Sequence, residues 1–351
     1  MLAFIQISFA STPKEKNFNG KYTKEKTIKR EFMVSSSALL KINNSYGNLN
    51  ITSWNENKTA IEVHIKTNGN NEQKVIDKLN DINIIFDANE NLVSAKTIFD
   101  ENGWSWGWKN NNVNVEVNYV IKLPVNNQVD LSNDYGGIYL NKLNGKAKIS
   151  CDYGKLEIGE LWGSNNELNC DYTTDSHIGI FKDGNINADY SDLTIEKTKN
   201  LYLNADYTKT KIEKADKVEY NCDYGSLTVG DVMNFSGNGD YLSLRIDSVY
   251  GKVSIRSDYG SIKIRELSVK TEGVEIRSSY TGISMGYHPD FAFNFDISLD
   301  YAGLTGKEDL NFTLKDSDYT SHKYQGYYKY QNTGKTIYIR SDYGGVNLTK
   351  L

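Results

Sequence analysis

With 351 residues, a formal net charge of -5 and no sustained Lys/Arg stripe, the chain lacks the electrostatic footprint of a nucleic-acid partner. Its 28 Gly, 25 Tyr and only 3 Pro suit short strands joined by tight turns, so an all-β protein is expected. Length alone does not count domains here, because a solenoid grows along one axis.

The opening segment MLAFIQISFAS, residues 1–11, is short and apolar and carries the small-x-small pattern Ser8-Phe9-Ala10. It reads as a partial signal peptide without the positively charged n-region, and it predicts an exported protein, periplasmic or at the cell surface. No later segment approaches the ~20 apolar residues of a membrane-spanning helix, so no membrane span is expected.

Residues 20–125 read as a β-rich region. Strand-like runs occur at Leu39 to Ile42, Leu49 to Ser53, Ile61 to Lys66, Ile82 to Phe86, Leu92 to Ile98 and Val113 to Leu123, with one short helix from Glu72 to Leu79. Tyr46 has Ile42 four residues before it and Leu49 and Ile51 three and five after it, the same motif that fills the rest of the chain. A solenoid is expected to begin there, to be interrupted by a β-rich cap or insertion, and to resume near Val129. Trp104, Trp106 and Trp108 alternate within that interruption, which in extended chain puts three indoles on one side. Such a row either covers the open end of a core or forms a sugar-stacking platform, and these are the candidate ligand-binding residues.

From residue 126 to 351 a tyrosine returns every 17 to 24 residues: Tyr135, Tyr153, Tyr172, Tyr190, Tyr207, Tyr224, Tyr241, Tyr259, Tyr280, Tyr301, Tyr319 and Tyr343, each preceded by Asp except where Ser279 stands. Self-similarity at a short period is the mark of coils that bury their apolar side only by stacking. Four residues before the tyrosine stand aliphatics such as Leu131, Ile149, Leu168, Ile186 and Leu203; three and five after it stand pairs such as Leu156 and Ile158. A further apolar position eight residues on (Leu143, Leu161, Val232, Val249, Leu267) suggests a short third side. The fold class expected is therefore an all-β, right-handed parallel β-helix of about 12 coils with an N-terminal β-rich cap or insertion; a left-handed hexapeptide solenoid would need an aliphatic every six residues. The tyrosine shares the parity of the inward aliphatics, which predicts rings stacked at a corner of the core, with Asp facing out and the following Gly (Gly136, Gly154, Gly225, Gly260, Gly344) marking the corner.

A column of aspartates at ~4.8 Å spacing carries about 0.9 kcal/mol of repulsion per neighbouring pair even in water. The simpler reading is that each Asp caps its own corner by accepting backbone N–H groups one or two residues on. The alternative is a calcium ladder on Asp152, Asp171, Asp189, Asp206 and Asp223, although the Gly-Gly-x-Gly-x-Asp repeat of calcium β-rolls is missing. Cys151, Cys170 and Cys222 occupy the small-residue position before Asp-Tyr. Cys151 and Cys170 fall within disulfide range on adjacent coils, but parallel Cβ vectors make the bridge awkward, and all three are read as small core residues. No zinc site and no cofactor are expected. His64, His177, His288 and His322 are scattered, with no nucleophile-base motif, and a residue repeated in nearly every coil is explained by the coil, so enzyme activity is not expected. Tyr324, Tyr327, Tyr328 and Tyr330 are read as shielding the last coils.

The opening ALLKINNSYGNLNITSW, the strand VNYVIKLPVNNQVDL and the repeated Asp-Tyr-Gly-x-apolar-x-apolar units together resemble the bacterial putative-adhesin family of β-helical domains of unknown function, from about residue 35 to the end. The resemblance implies an exported parallel β-helical protein and transfers no active-site residue. The functional expectation is a non-enzymatic adhesin-like or scaffold protein of the cell envelope whose partner is a cell-surface glycan or protein. A carbohydrate-binding module on the Trp104–Trp108 platform is the alternative, and a polysaccharide-active enzyme the third reading.

Overall fold

The computed structural model describes residues 18–99 and 113–351; the apolar segment 1–11 and Trp104, Trp106 and Trp108 lie outside the described residues. Among the described residues the chain is all β, with strands joined into one long, open mixed sheet and a single helix, Glu72–Asn80. That helix is capped by Asn71, whose side chain accepts the backbone N–H of Lys74 at 3.0 Å, and its buried face is carried by Val75.

Parallel pairing joins each tyrosine unit to the next. Ala147–Asp152 lies between Gln128–Asp134 and Asn166–Asp171, which aligns Ile149 with Leu131 and Leu168, and Asp152 with Asp134 and Asp171. On the far side of the tyrosine, Leu156–Leu161 pairs with Ile138–Leu143 in the same sense. Each coil is named here by its tyrosine. Between Tyr172 and Tyr241 the strands Ser176–Asp189, Asp192–Asp206, Lys209–Asp223 and Ser226–Asp240 run unbroken from one Asp-Tyr corner to the next, and their register holds from Asp192↔Lys209 to Asp206↔Asp223. The position eight residues after the tyrosine is core, with Leu143, Leu161, Val232, Val249 and Leu267 buried. In the middle coils it lies within a continuous strand, and two consecutive outward residues flank it on each side, as Glu196 and Lys197 before buried Thr198 and Lys199 and Asn200 after it, so the in-out alternation breaks twice around this position.

Every inward aliphatic named from the repeat is buried, and full burial of such a side chain contributes about 1.5–3 kcal/mol. Where the small position two residues before the tyrosine holds Asn44 and Asn133, the interior is polar and satisfied. Asn44 Nδ2 donates to Asn133 Oδ1 and to the Val117 carbonyl, both at 3.0 Å, while Thr97 Oγ1 donates to Asn44 Oδ1 at 2.9 Å. Cys151, Cys170 and Cys222 are buried free thiols, and Cys151 pairs with Cys170 in register without a disulfide. Burial pushes the Cys151 and Cys222 thiols up to about 12 and Cys170 also upward, so they act as small apolar residues.

The tyrosines correct the expectation of burial. Each ladder tyrosine has positive φ, from 51 to 65°, and this left-handed residue interrupts the in-out alternation and turns the ring to solvent. Tyr207, for example, is 51% exposed. The corner is thus the tyrosine itself, and the glycine after it is not among the residues of positive φ. Left-handed backbone costs an L-residue roughly 1–2 kcal/mol, which ring stacking must offset.

At both ends the order of the chain and the order of the layers part company. The Tyr46 coil, Leu39–Ser45 and Leu49–Trp54, is followed by Lys58–Gly69, the helix and Ile82–Asn89. The chain then lays Leu92–Phe99 and Val113–Pro124 on the outer face of that coil and returns as Gln128–Asp134 on its inner face. At the other end the Tyr301 coil, Phe293–Asp300 and Leu304–Thr305, is completed before the Tyr343 coil. Yet Thr336–Asp342 lies between Gly273–Ser279 and Phe293–Asp300, and Val346–Lys350 between Gly282–Tyr287 and Leu304–Thr305. First and last coils are each held one layer in from the end.

Antiparallel strands cover the outermost layers: Lys58–Gly69 on Val113–Pro124 with Tyr22–Met33 outside it, and Ser321–Tyr328 on Phe293–Asp300 with Asn311–Ser317 outside it. The edge strand Tyr22–Met33 is rich in Lys and Glu, and Asn311–Ser317 carries Lys315 and Asp316, charges that discourage further pairing. Tyr319, expected in the ladder, sits instead in the tight turn of the last hairpin and is 97% exposed. Tyr324 and Tyr328 are buried there, Tyr328 against Tyr287 and Phe293, while Tyr330 stays exposed.

Candidate functional site: an exposed tyrosine-aspartate ladder

Twelve tyrosine rings form one unbroken stack in the spatial order Tyr46, Tyr135, Tyr153, Tyr172, Tyr190, Tyr207, Tyr224, Tyr241, Tyr259, Tyr280, Tyr343, Tyr301. Centroids lie 4.7–5.3 Å apart and planes within 9° of parallel. Phe99 meets the Tyr46 end edge-on at 5.9 Å. A shared corner geometry produces the stack: the tyrosine N–H donates to the carbonyl of the next layer's aspartate, as from Tyr207 to Asp223 at 3.0 Å, or of Ser279 in the case of Tyr259, while Tyr301 at the end donates to Thr320 of the covering hairpin. The ring faces are consumed by one another, so the strip presents edges and hydroxyls. Desolvation within the stack, then neighbouring phenols and aspartates, hold the Tyr46, Tyr224 and Tyr343 hydroxyls above the ordinary phenol range.

Beside the rings runs the aspartate column. Its carboxylates do not cap their own corners as expected. Asp189 Oδ1 accepts the backbone N–H of Asp206, and the pattern continues from Asp223 to Asp206, from Asp240 to Asp223, from Asp258 to Asp240 and from Ser279 to Asp258, at 2.7–3.2 Å. The strand edge of the next layer therefore supplies the donor. Asp318, outside the ladder, does accept from its own neighbour, the Tyr319 N–H at 2.7 Å. None of the column residues Asp134, Asp152, Asp171, Asp189, Asp206, Asp223, Asp240, Asp258, Asp300 and Asp342 forms an ion pair among the described residues. Desolvation, then Asp171 and Asp134, raises the Asp152 carboxyl above its usual value. The proposed calcium set stands in this column one residue per coil, and among the described residues no three His, Cys, Asp or Glu side chains gather in a way that could hold a metal ion.

On the strand that precedes Asp, the outward position two residues earlier forms a second ladder that the tyrosine-centred alignment overlooked. Asn187 Nδ2 donates to Asn169 Oδ1 at 2.8 Å and Asn221 Nδ2 to Asn204 Oδ1 at 3.0 Å, with Asn238 continuing the row. Beyond Asn238 the row becomes Arg256, Arg277 and Arg340, aligned in register. Arg277 pairs with Glu275 at 3.1 Å and Arg340 with Asp296 at 2.9 Å, and both guanidinium groups lie over the Tyr338 ring. Small residues at Gly237 and Ser254 leave a recess of about 550 Å³ where the two rows meet, lined by Asp223, Asp240, Asp258, Glu275, Arg256 and Arg277. The signal lay in the sequence as Asn or Arg two residues before each corner from Asp171 to Ser279 and again before Asp342, with Ser in that place at Asp134, Asp152 and Asp300.

The histidines stay apart. His177 sits on the surface between Glu157 at 3.4 Å and Glu196 at 3.0 Å, His64 beside Glu62 at 3.1 Å, and His288 Nδ1 accepts the Asp290 N–H. No described helix is long and apolar enough to cross a membrane.

No protein-family model matches the chain, and no curated protein matches it. Solved structures do. A putative adhesin from Parabacteroides merdae is similar over 92% of this chain and 96% of its own, at 11% identity and a TM-score of 0.35. A putative lipid binding protein from Parabacteroides distasonis is similar over 92% of this chain and 96% of its own, at 12% identity and a TM-score of 0.31. A putative cell adhesion protein from Clostridium sporogenes is similar over 93% of this chain and all of its own, at 10% identity and a TM-score of 0.20.

Proposed function

We propose that the protein is a right-handed parallel β-helix that serves, without catalysis, as an exported adhesin-like scaffold of the cell envelope, and that the tyrosine-aspartate strip is the face it presents to a partner. The observation that supports this is the continuity of the stack. Eleven of the twelve tyrosines, all but Tyr46, are about half exposed and at about 100 Å² each leave roughly 1,100 Å² of contiguous aromatic surface, whereas the largest apolar patch of a soluble monomer is about 300–600 Å². Ten carboxylates without ion pairs border it, which favours a partner that brings cations or many hydroxyl donors. The reading rests on this face and not on the likenesses to solved structures.

The experiment compares two variants for binding to intact bacterial and host cells and to a glycan array. Tyr190→Ala/Tyr207→Ala/Tyr224→Ala interrupts the strip, and Trp104→Ala/Trp106→Ala/Trp108→Ala removes the tryptophan row. Loss of binding in the first variant alone supports the strip. Loss in the second alone, on glycans, replaces this reading with the carbohydrate-binding module. Recovery of the native protein from the cytoplasmic fraction would overturn the assignment to the envelope.

A further inference from the structure

The last coil is an inserted layer. The chain first builds the Tyr280 and Tyr301 coils and leaves between them a slot one layer thick, about 4.8 Å. Both walls of the slot are strand edges whose backbone groups need the missing layer: Tyr280 N–H donates to the Asp342 carbonyl and Ile283 N–H to Gly345, while Tyr343 N–H donates to Asp300 and Val346 N–H to Gly303. Inside, Ile337, Ile339, Val346 and Leu348 are buried between Val274, Ile276 and Met285 below and Phe295 and Ile297 above. The outer edge of Phe293–Asp300 is already occupied by Ser321–Tyr328, so the last coil finds its parallel partners only in the slot.

What fills the slot is tethered by exposed chain. Between Tyr328 and Thr336 the backbone folds back through positive φ at Lys329, Asn332 and Gly334, and Lys329, Tyr330, Gln331, Asn332 and Gly334 are exposed. Extended, residues 329–335 reach about 23 Å. Residues 336–351 of any other copy match the same slot in register, apolar content and ladder tyrosine.

We propose that this slot is a strand-acceptor site whose partner is a second copy of the chain: two molecules exchange their last coils, each completing the other's stack. The exchanged pair keeps every contact of the closed monomer except those of the tether, so concentration and tether length set the balance between them. This goes beyond the proposed use of the tyrosine strip and does not depend on it.

The test uses Glu275→Cys and Tyr338→Cys, register partners on the outside of the slot. The native cysteines are buried and do not compete. The double variant, treated with a short bis-maleimide, reports closure within one chain as a linked monomer. The two single variants are then mixed and incubated before the reagent is added. A linked dimer joined between positions 275 and 338, increasing with protein concentration, supports exchange, because a closed monomer of either single variant cannot form that link. A linked monomer from the double variant with no such dimer from the mixture at any concentration overturns it. Independently, deletion of Tyr330–Asn332 shortens the tether and is expected to shift the protein to a dimer in sedimentation; a persistent folded monomer overturns the proposal.

Discussion

Between Tyr135 and Tyr280 the order of the chain is the order of the layers, whereas at both ends a terminal coil sits inside one that is nearer the middle of the sequence. In the middle, each coil depends on two neighbours it also adjoins in sequence, so stability is close to a sum of nearest-neighbour contacts. At the ends, that arrangement would leave the first and last coils as outer layers with one neighbour each, the place where a repeat stack frays. Placing the Tyr46 and Tyr343 coils one layer in gives each of these coils a partner on both sides. The outer layer is then an internal segment that carries antiparallel cover.

The contrast is broken most severely by removing residues 336–351. In a simple stack this would delete one outer coil and nothing else. Here Phe293–Asp300 and Leu304–Thr305 lose the layer that joins them to the Tyr280 coil. Truncation after Lys335 is therefore expected to expose residues 288–335 to proteolysis and rapid amide exchange while the coils up to Tyr259 stay protected. Continued protection of Ser321–Tyr328 in the truncated chain would show that the Tyr301 coil docks without the insert.

A smaller effect separates the inside of the middle coils from their outside. Leu203 is fully buried, and Leu203→Ala should cost about 2–5 kcal/mol in urea unfolding. Tyr207, four residues on, contacts rings at 4.8 and 4.9 Å, and Tyr207→Ala should cost about 1–3 kcal/mol for two lost stacks. Because Tyr207 has φ of 51°, Tyr207→Gly should retain about 0.5–1 kcal/mol more stability than the Ala variant, the reverse of what Gly does within a strand. If the Gly variant is the less stable of the two, the left-handed corner does not limit this site.

The middle of the molecule was legible from the sequence because its information is local and repeated. Ile149, Leu156 and Ile158 announce a coil by spacing alone, and all are buried. Four features were not legible, each for a physical reason. Tyrosine at a left-handed corner looks inward by parity, since period-two counting assumes extended backbone through the turn. Tyr22–Met33 is a strand whose alternating Lys, Glu and Arg residues suit a protected edge and mask its pattern, so it was not recognised. The insertion of the Tyr343 coil leaves no local trace: Ile339, Asp342 and Tyr343 fit the same motif in either layer order, and only the position of Ser321–Tyr328 decides between them. The acceptor role of the aspartates was missed for a related reason, because the N–H each one binds belongs to the next coil.

The aspartate column sharpens the comparison at a finer scale. Asp206 Oδ1 accepts the Asp223 N–H at 3.1 Å, and an amide oxygen can do the same. Asp206→Asn should therefore be neutral or slightly stabilising, while Asp206→Ala, which leaves that N–H to water, should cost about 0.5–1.5 kcal/mol. Equal losses in the two variants would show that the charge itself contributes at this position.

The smallest expected effect concerns Asp152, which has column neighbours on both sides, unlike Asp258 and Asp342, which are separated by Ser279. Desolvation and then Asp171 and Asp134 raise its carboxyl above the unfolded value. The folded state therefore binds the proton more tightly than the unfolded one. Stability falls as pH rises from the unfolded value through the folded one, and the penalty is complete above that window. Removing the charge with Asp152→Asn should raise the urea midpoint modestly at pH 7 relative to the parent protein. The advantage should vanish when both are measured at about pH 3, where the parent carboxyl is protonated in either state. A variant no more stable than the parent at pH 7 would mean that screening by water and salt already relieves the column.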